Sequence, residues 1–373
     1  MKKIKCRICC DNTAELVMTF KNSPLEMWPT SRYLKDKKKD LEIYVCKVCG
    51  LTQLQRFSNS QVRSFYNSGS CVLCDSINIK DRFKDINSVY QKEFFKDTKI
   101  IDIGGGRNNI LGFFKSHEKW ICDFDIESKK KLKGIKLIEK DFMKVDFSNS
   151  YFDVVFILNI LEHIEKPLEF LKKIHKISTK ESRVMVEVPN NIYFKKNYSF
   201  YAFYAFFFQH ILLLTEKSLK NIMLKAGFMH DGKVYRSENQ ILFMAFKKIK
   251  GKKKELKIDK DYYFVDKVLR NLNKQVARVK KIISIYQNKD IGFYGAGGST
   301  CVFINHLGKH KHYINSFYDI DTRKHGKYVP GINKRVSKPQ ELKYKKPDIV
   351  LFMNSKLETE ISKKYKLNNT FVV

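Results

Sequence analysis

The reading of this chain turns on "KIIDIGGGRNN", residues 99–109. A short apolar run ends at Asp102, and three glycines follow. Glycine placed there lets the backbone turn tightly and come close to a bound group, and Gly104 and Gly106 are the positions that do so. Dinucleotide folds use such a loop to hold a pyrophosphate. They carry a further glycine two residues on, where Asn108 stands here. The loop therefore poses a choice between a phosphate and a different cofactor.

Outward from the loop, short β-rich runs at 99–103, 119–124, 135–139, 153–158 and 183–188 alternate with helical stretches. That rhythm predicts a doubly wound parallel sheet. Ligands of such sheets sit beyond the carboxyl ends of the strands, where "DIGGGRN" lies. The second run ends in "CDFDIES", which places Asp125 to take ribose hydroxyls. The third is followed by "EKDF", which places Asp141 to accept from an adenine amino group. "YFDVVFILNILEHIEKPLEFLKKIHKI" and "SRVMVEVPN" come next. Over roughly 95–250 this ordered series resembles a class I methyltransferase that binds S-adenosylmethionine, with a Rossmann domain for NAD or FAD as the rival. In the methyltransferases the glycine loop passes over the methionine part and the ribose. The resemblance implies cofactor contacts at Asp102, Gly104, Gly106, Asp125, Asp141 and Asn159.

The 373 residues predict two or three domains, and 43% hydrophobic residues suffice for packed cores. Lys and Arg number 72 against 39 Asp and Glu, a net charge of +33. The lysines are spread along the chain, as a solvated surface would have them, and a positive field also speeds capture of anionic substrates. No zinc-finger, RNP or helix-turn-helix signature accompanies the charge, so a nucleic-acid partner is not expected. No apolar core follows the lysines of "MKKIKCRICC", so no signal peptide is expected. The longest uncharged run, 197–215, nears the length of a membrane span. Its tyrosines, serines and Gln209-His210 mark it instead as a buried pocket or interface segment, so no transmembrane segment is expected. The expectation is a cytoplasmic protein with reduced thiols. Cys6-x2-Cys9 and Cys46-x2-Cys49 then supply four thiolates for a tetrahedral structural zinc with no open coordination position. Gly50 follows the second pair as a tight turn wants. Cys10 reads as a bystander, and Cys71-x2-Cys74 is a further pair with no fourth partner pair.

Past the charged linker at 247–260, residues 261–288 carry apolar side chains at helical spacing. "DIGFYGAGGSTCVFINHLG" then repeats a strand, a glycine turn and a helix, with Gly295, Gly297 and Gly298 opening a helix whose N-terminus favours anions. "INSFYDIDTRKHGKYVPG" and "KPDIVLFM" supply further strand ends. With "CRICC", "NSPLEMW" and "CKVCGLTQL", these segments resemble, in order, the sugar C-methyltransferases of nucleotide-sugar pathways. The resemblance implies an α/β chain with a Rossmann-like class I methyltransferase core, a small N-terminal zinc-binding domain and a second Rossmann-like domain at the C-terminus. The implied domains are 1–75, 76–250 and 261–373. It further implies methyl transfer from S-adenosylmethionine to a carbon beside a keto group. The acceptor would be a nucleotide-linked deoxysugar for surface glycans, bound partly through Tyr294, Gly295, Gly298, Asp319 and Lys327.

Such chemistry needs a base to take the proton beside the carbonyl, and histidine suits that task. His163 in "NILEHI" and His210 in "FFFQHILLLT" are the candidates. The family carries a Tyr-His-Glu-His string at 207–210, where this chain has Phe207, Phe208, Gln209 and His210. Ser299 stands where the family has a lysine. Transfer to a sugar hydroxyl, or a cofactor-binding partner subunit without catalysis, are therefore the alternatives. Nucleic-acid methylation is allowed by the charge and opposed by the C-terminal resemblance.

Overall fold

A computed structural model describes residues 2–31, 38–58, 60–62, 79–89, 96–105, 110–116, 118–124, 133–148, 151–190, 207–236, 241–249, 264–353 and 355–373. Gly106, Asp125, Cys71, Cys74 and the 197–206 part of the uncharged run lie outside the described residues.

The N-terminal strands β1 (Lys3–Ile4), β2 (Ala14–Pro24), β3 (Lys38–Cys46) and β4 (Thr52–Leu54) form an antiparallel sheet. Each CxxC occupies a turn at one end of it, and the pairing of Ala14 with Cys46 brings the turns together. The turns share one design. Cys10 N–H donates to Cys6 O at 3.0 Å, and Gly50 N–H donates to Cys46 O at 2.9 Å. The residue closing each turn has a left-handed backbone, φ 68° at Cys10 and 76° at Gly50. Glycine adopts that conformation without cost, and Cys10 fills the equivalent place with its side chain exposed.

The central sheet contains β5 (Lys99–Ile103), β6 (Glu118–Asp123), β7 (Lys136–Glu139), β8 (Phe152–Leu158) and β9 (Ser178–Pro189). Two later strands, β11 (Phe228–Arg236) and β12 (Ile241–Lys248), complete it. Its order is β11-β12-β9-β8-β5-β6-β7, parallel from β7 through β9 and antiparallel at β12 and β11. The chain reverses direction across the sheet at β5, which makes the end of that strand a topological switch point. Both faces are covered, as a parallel sheet requires. Ile100, Val154 and Phe156 pack with Ile86 of helix α1 (Ile79–Val89). Ile101, Val155 and Ile157 pack with Leu171 and Ile174 of α2 (Pro167–Ile177). Between β5 and β6, and between β7 and β8, the helix found among the described residues is a single turn, Leu111–Phe113 and Phe142–Lys144 respectively. Those connections are short for the full crossover helices that the rhythm predicts.

One short strand crosses over. β10 (Leu212–Leu213) pairs with β4 and so extends the N-terminal sheet. Thr215 then caps α3 (Glu216–Lys225), accepting from Ser218 N at 3.1 Å. Phe207–Thr215 is buried, and no helix among the described residues is long and apolar enough to cross a membrane.

Helix α4 (Phe264–Ile285) leads into a second parallel sheet. Its elements are β13 (Ile291–Tyr294), α5 (Gly298–His306), β14 (Ile314–Tyr318), β15 (Val336–Ser337), β16 (Ile349–Phe352), α6 (Ser355–Tyr365) and β17 (Thr370–Val372). The order β15-β14-β13-β16-β17 again switches direction at its first strand. The N-terminal module docks on the loop at Tyr328 and on the start of α5. Thr30 and Tyr328 exchange backbone hydrogen bonds at 2.8 and 2.9 Å, and a Cβ on Gly298 would lie 2.5 Å from Met27 Cε.

Candidate active site and metal centre

The four thiols meet. Cys6, Cys9, Cys46 and Cys49 are buried, and their sulfurs all lie within 4.8 Å of one another. Cys6 Sγ is 3.7 Å from Cys49 Sγ, and Cys46 Sγ is 3.8 Å from Cys9 Sγ. A tetrahedral zinc with Zn–S bonds of about 2.3 Å sets its sulfurs ~3.8 Å apart. The separations fit that ion. Backbone N–H groups of Ile8 and Cys9 point at Cys6 Sγ at 3.4 Å, and Cys49 N–H points at Cys46 Sγ at 3.5 Å. Thr13 Oγ1 is 3.1 Å from Cys46 Sγ. These groups hold the sulfurs in place and suit negative thiolates.

At the end of β5 the glycine turn is as tight as its sequence demands. Gly104 has φ +80°, and a Cβ there would lie 2.2 Å from Ile160 Cδ1. A Cβ on Gly105 would lie 2.1 Å from Asp102 Oδ2. Asp102 is 1% exposed, and neither carboxyl oxygen has a hydrogen-bond partner among the described residues. Burial pushes its pKa up to about 8, with Arg82 opposing. Asp123 ends β6, and Asp141, just past β7, caps the next turn by accepting from Met143 N at 2.9 Å. Asn159 directly follows β8 and has φ 56°. Its N–H donates to Glu187 O at 2.8 Å, and its Nδ2 donates to Glu187 Oε1 at 2.9 Å. Arg82 from α1 reaches the same Oε1 at 2.5 Å.

The switch point is thus lined by Asp102, Asp123, Asp141 and Glu187, in a chain whose net charge is strongly positive. Burial favours the neutral form of Asp102, and Arg82 pairs with Glu187, so the acidic character comes from Asp123 and Asp141 at the strand ends. Those side chains suit a sulfonium cofactor that also carries an ammonium group better than a pyrophosphate, so the residues fit S-adenosylmethionine. Arg82 and Glu187 were not candidates on sequence grounds. Glu187 was visible in "VEVPN" as the charged residue of an apolar strand. Arg82 carried no local signal.

A second cluster lies beside the turn that follows β8. The His163 and His210 rings are 5.0 Å apart, although the residues are far apart in the chain. His163 Nδ1 is 2.8 Å from Gln209 O. A carbonyl only accepts, so Nδ1 carries the proton and Nε2 faces Glu162 Oε1 at 3.6 Å. Glu162 is 1% exposed, and its carboxyl oxygens have no hydrogen-bond partner among the described residues. Burial pushes Glu162 up to about 8 and His163 down to about 4, and it holds His210 well below the usual histidine range. Phe207 packs against His210 with ring centres 4.1 Å apart. Burial thus favours the uncharged form of Glu162, His163 and His210. Glu162 adjoins His163 in "NILEHI", and that adjacency is the one signal for it in the sequence.

In the C-terminal sheet, Tyr294 is 2% exposed, and its hydroxyl lacks a partner among the described residues. With His325, Lys338 and Lys364 it lines a groove of about 470 Å³. Gly295 has φ +100° and donates to Tyr318 O at 2.7 Å. Asp319 accepts from Ala296 N at 2.7 Å and from Lys324 Nζ at 2.8 Å. Lys324 is thereby ion-paired with this carboxylate. Lys327 is half-buried, and its backbone N–H bonds Lys324 O at 3.1 Å. Gly298 faces Met27 of the N-terminal module.

Residues 79–230 match the family profile described as a methyltransferase domain. Residues 247–370 match that of a C-methyltransferase C-terminal domain. Sequence comparison with curated proteins gives no match. Among solved structures, the chain is similar to the mitomycin 7-O-methyltransferase at 12% identity and a TM-score of 0.38, covering 52% of this chain and 59% of that one. It is similar to the 1,6-didemethyltoxoflavin-N1-methyltransferase of Burkholderia thailandensis at 14% and 0.39, covering 56% and 96%. It is also similar to the plantazolicin methyltransferase at 15% and 0.38, covering 51% and 90%.

Proposed function

We propose a reaction for this chain from the premise that it is an S-adenosylmethionine-dependent methyltransferase with a C-methyltransferase-type C-terminal domain. Its acceptor is a nucleotide-linked keto-deoxysugar, and the methyl goes to the carbon beside the keto group. The bound cofactor supplies an electrophilic methyl on a positively charged sulfur. The chain's own residues do the rest. His210 takes the proton from the acceptor carbon, and His163 lies beside it. The groove at Tyr294 and the glycine turn before α5 hold the nucleotide portion.

The observation that carries this reading is the meeting of two buried imidazoles, His163 and His210, with ring centres 5.0 Å apart. Burial keeps both rings unprotonated through neutral pH but also weakens them as bases, so the proton step would draw on their placement rather than on their basicity. A second reading, transfer to a sugar hydroxyl, is favoured by Phe207 against His210. That neighbour is apolar where the related family places a tyrosine, and a hydroxyl proton is easier to remove than one on carbon. Surface glycan synthesis is the setting that a nucleotide-sugar acceptor suggests.

For the cofactor we propose contacts from Asp102, Gly104, Gly106, Asp125, Asp141 and Asn159. Asp125→Ala removes a charged acceptor from the ribose. Hydrogen bonds to charged groups contribute roughly 1.5–3 kcal/mol, so affinity should drop about 10- to 150-fold. Calorimetric titration with S-adenosylmethionine measures it. Unchanged binding would mean that the ribose acceptor lies elsewhere, with Asp123 at the end of β6 as the next residue to test.

A further inference from the structure

We propose that Arg7 and Glu165 are a positioning pair through which the cysteine knuckle sets the geometry of the His163–His210 pair. The proposal rests on the proton-transfer reading of those histidines. Arg7 lies inside the first knuckle, between Cys6 and Cys9, and is 3% exposed. Its guanidinium donates to Leu54 O at 2.7 Å, to Gln55 O at 2.8 Å and to Glu165 Oε2 at 2.6 Å. Arg56 takes the other oxygen of the same carboxylate, Oε1, at 2.9 Å, and donates to Lys5 O at 2.9 Å. Glu165 stands two residues after His163, in the loop that enters α2. One carboxylate thus ties the His163 loop to two arginines of the N-terminal module, Arg7 and Arg56.

A separate tether holds the other histidine. Directly after His210, Ile211 O accepts from Leu54 N at 3.0 Å. Leu212 and Leu213 then pair with Gln53 and Thr52 of β4. His163 and His210 belong to different segments of the methyltransferase region. The stretch 52–56, fixed at one end by the second knuckle and bridged to the first by Arg7, is common to both tethers. An arginine this deeply buried needs its carboxylate, because removing one partner leaves a charge without compensation. The pair therefore holds one geometry, and the metal that fixes the knuckle fixes the ring separation with it. This gives the zinc module a task beyond its own stability.

The test uses Glu165→Gln in the full chain, with histidine rings carbon-labelled for NMR and assigned through His163→Gln and His210→Gln. Zinc content and S-adenosylmethionine affinity serve as controls. We expect one zinc per chain, cofactor affinity within about twofold of the parent and displaced His163 ring signals with an altered titration. Methyl transfer to a nucleotide-keto-sugar panel should fall by up to about 100-fold, as misplacement by an ångström can cause. If Glu165→Gln does not fold, Arg56→Lys takes its place, since it keeps the Arg7 bond and weakens the second one. Histidine signals that coincide with the parent's in the variant that folds would overturn the proposal. So would a signal change that appears only with loss of zinc, which would make Glu165 a structural part of the module. A fully active His210→Ala would overturn the base reading instead, and it would leave the coupling measured by NMR intact.

Discussion

Serine at both Cys46 and Cys49 is expected to abolish binding of the one zinc per chain and to unfold the N-terminal sheet. Two of the four buried sulfurs disappear, and the remaining pair on one turn cannot close a tetrahedral site. Apparent binding free energies of structural zinc are about 10–16 kcal/mol in small zinc domains, and that energy is folding energy. Few substitutions have an effect so large. Metal analysis of the purified variant and protease digestion of its N-terminal region measure it. Full zinc content in the double variant would contradict the assignment of these ligands. The consequence should reach further than the module, because Leu212 and Leu213 lose the strand they pair with.

His210→Ala is expected to keep cofactor binding and to lower turnover about 10²–10⁴-fold, the contribution typical of a positioned base. The pH profile carries the sharper statement. An exposed histidine would lose its base form as the pH falls through about 6.5. Burial depresses His210 well below that and His163 to about 4. The acid limb of the rate should therefore lie well below the pH of about 6.5 at which an exposed histidine would put it. Stability follows the same sign. The unfolded chain takes up protons at these histidines below about pH 6.5, while the folded chain resists until about 4 at His163. The folded state is favoured above that window and loses stability as the pH falls through it. A rate that halves near pH 6.5 in the parent, with no change in His210→Ala, would remove this histidine from the proton step.

Much of the fold was legible because local pattern and tertiary role agree. "KIIDI" forms a strand over the residues that its apolar run marks, and Gly104 takes the positive φ for which glycine is suited. The paired CxxC turns converge because each is a self-contained hydrogen-bonded turn, needing only one register between β2 and β3. Thr215 begins its helix through its own side chain. What the pattern could not carry was long-range. β10 is two leucines with no alternation to read, and it joins the N-terminal sheet rather than the central sheet whose strands precede and follow it in the sequence. The Arg82–Glu187 pair and the meeting of His163 with His210 depend on which loops share a space, and periodicity does not encode that. β9 extends to 178–189 beyond its apolar stretch because Arg183–Pro189 pair antiparallel with β12 and Ser178 pairs with Phe152, so polar residues are drawn into the strand.

The reaction proposed for this methyltransferase is transfer to a carbon of a nucleotide-linked keto-deoxysugar. The most direct measurement incubates the full chain and S-adenosylmethionine with a panel of nucleotide-linked keto-deoxysugars, follows the products by mass spectrometry and locates the methyl by NMR. The account predicts one acceptor that gains a single CH2 unit on the carbon beside its keto group, with cofactor consumed in equal amount. In heavy water the same carbon should exchange its proton whenever proton removal is reversible. A product bearing its methyl on oxygen, or cofactor bound tightly with no sugar in the panel modified, would contradict it.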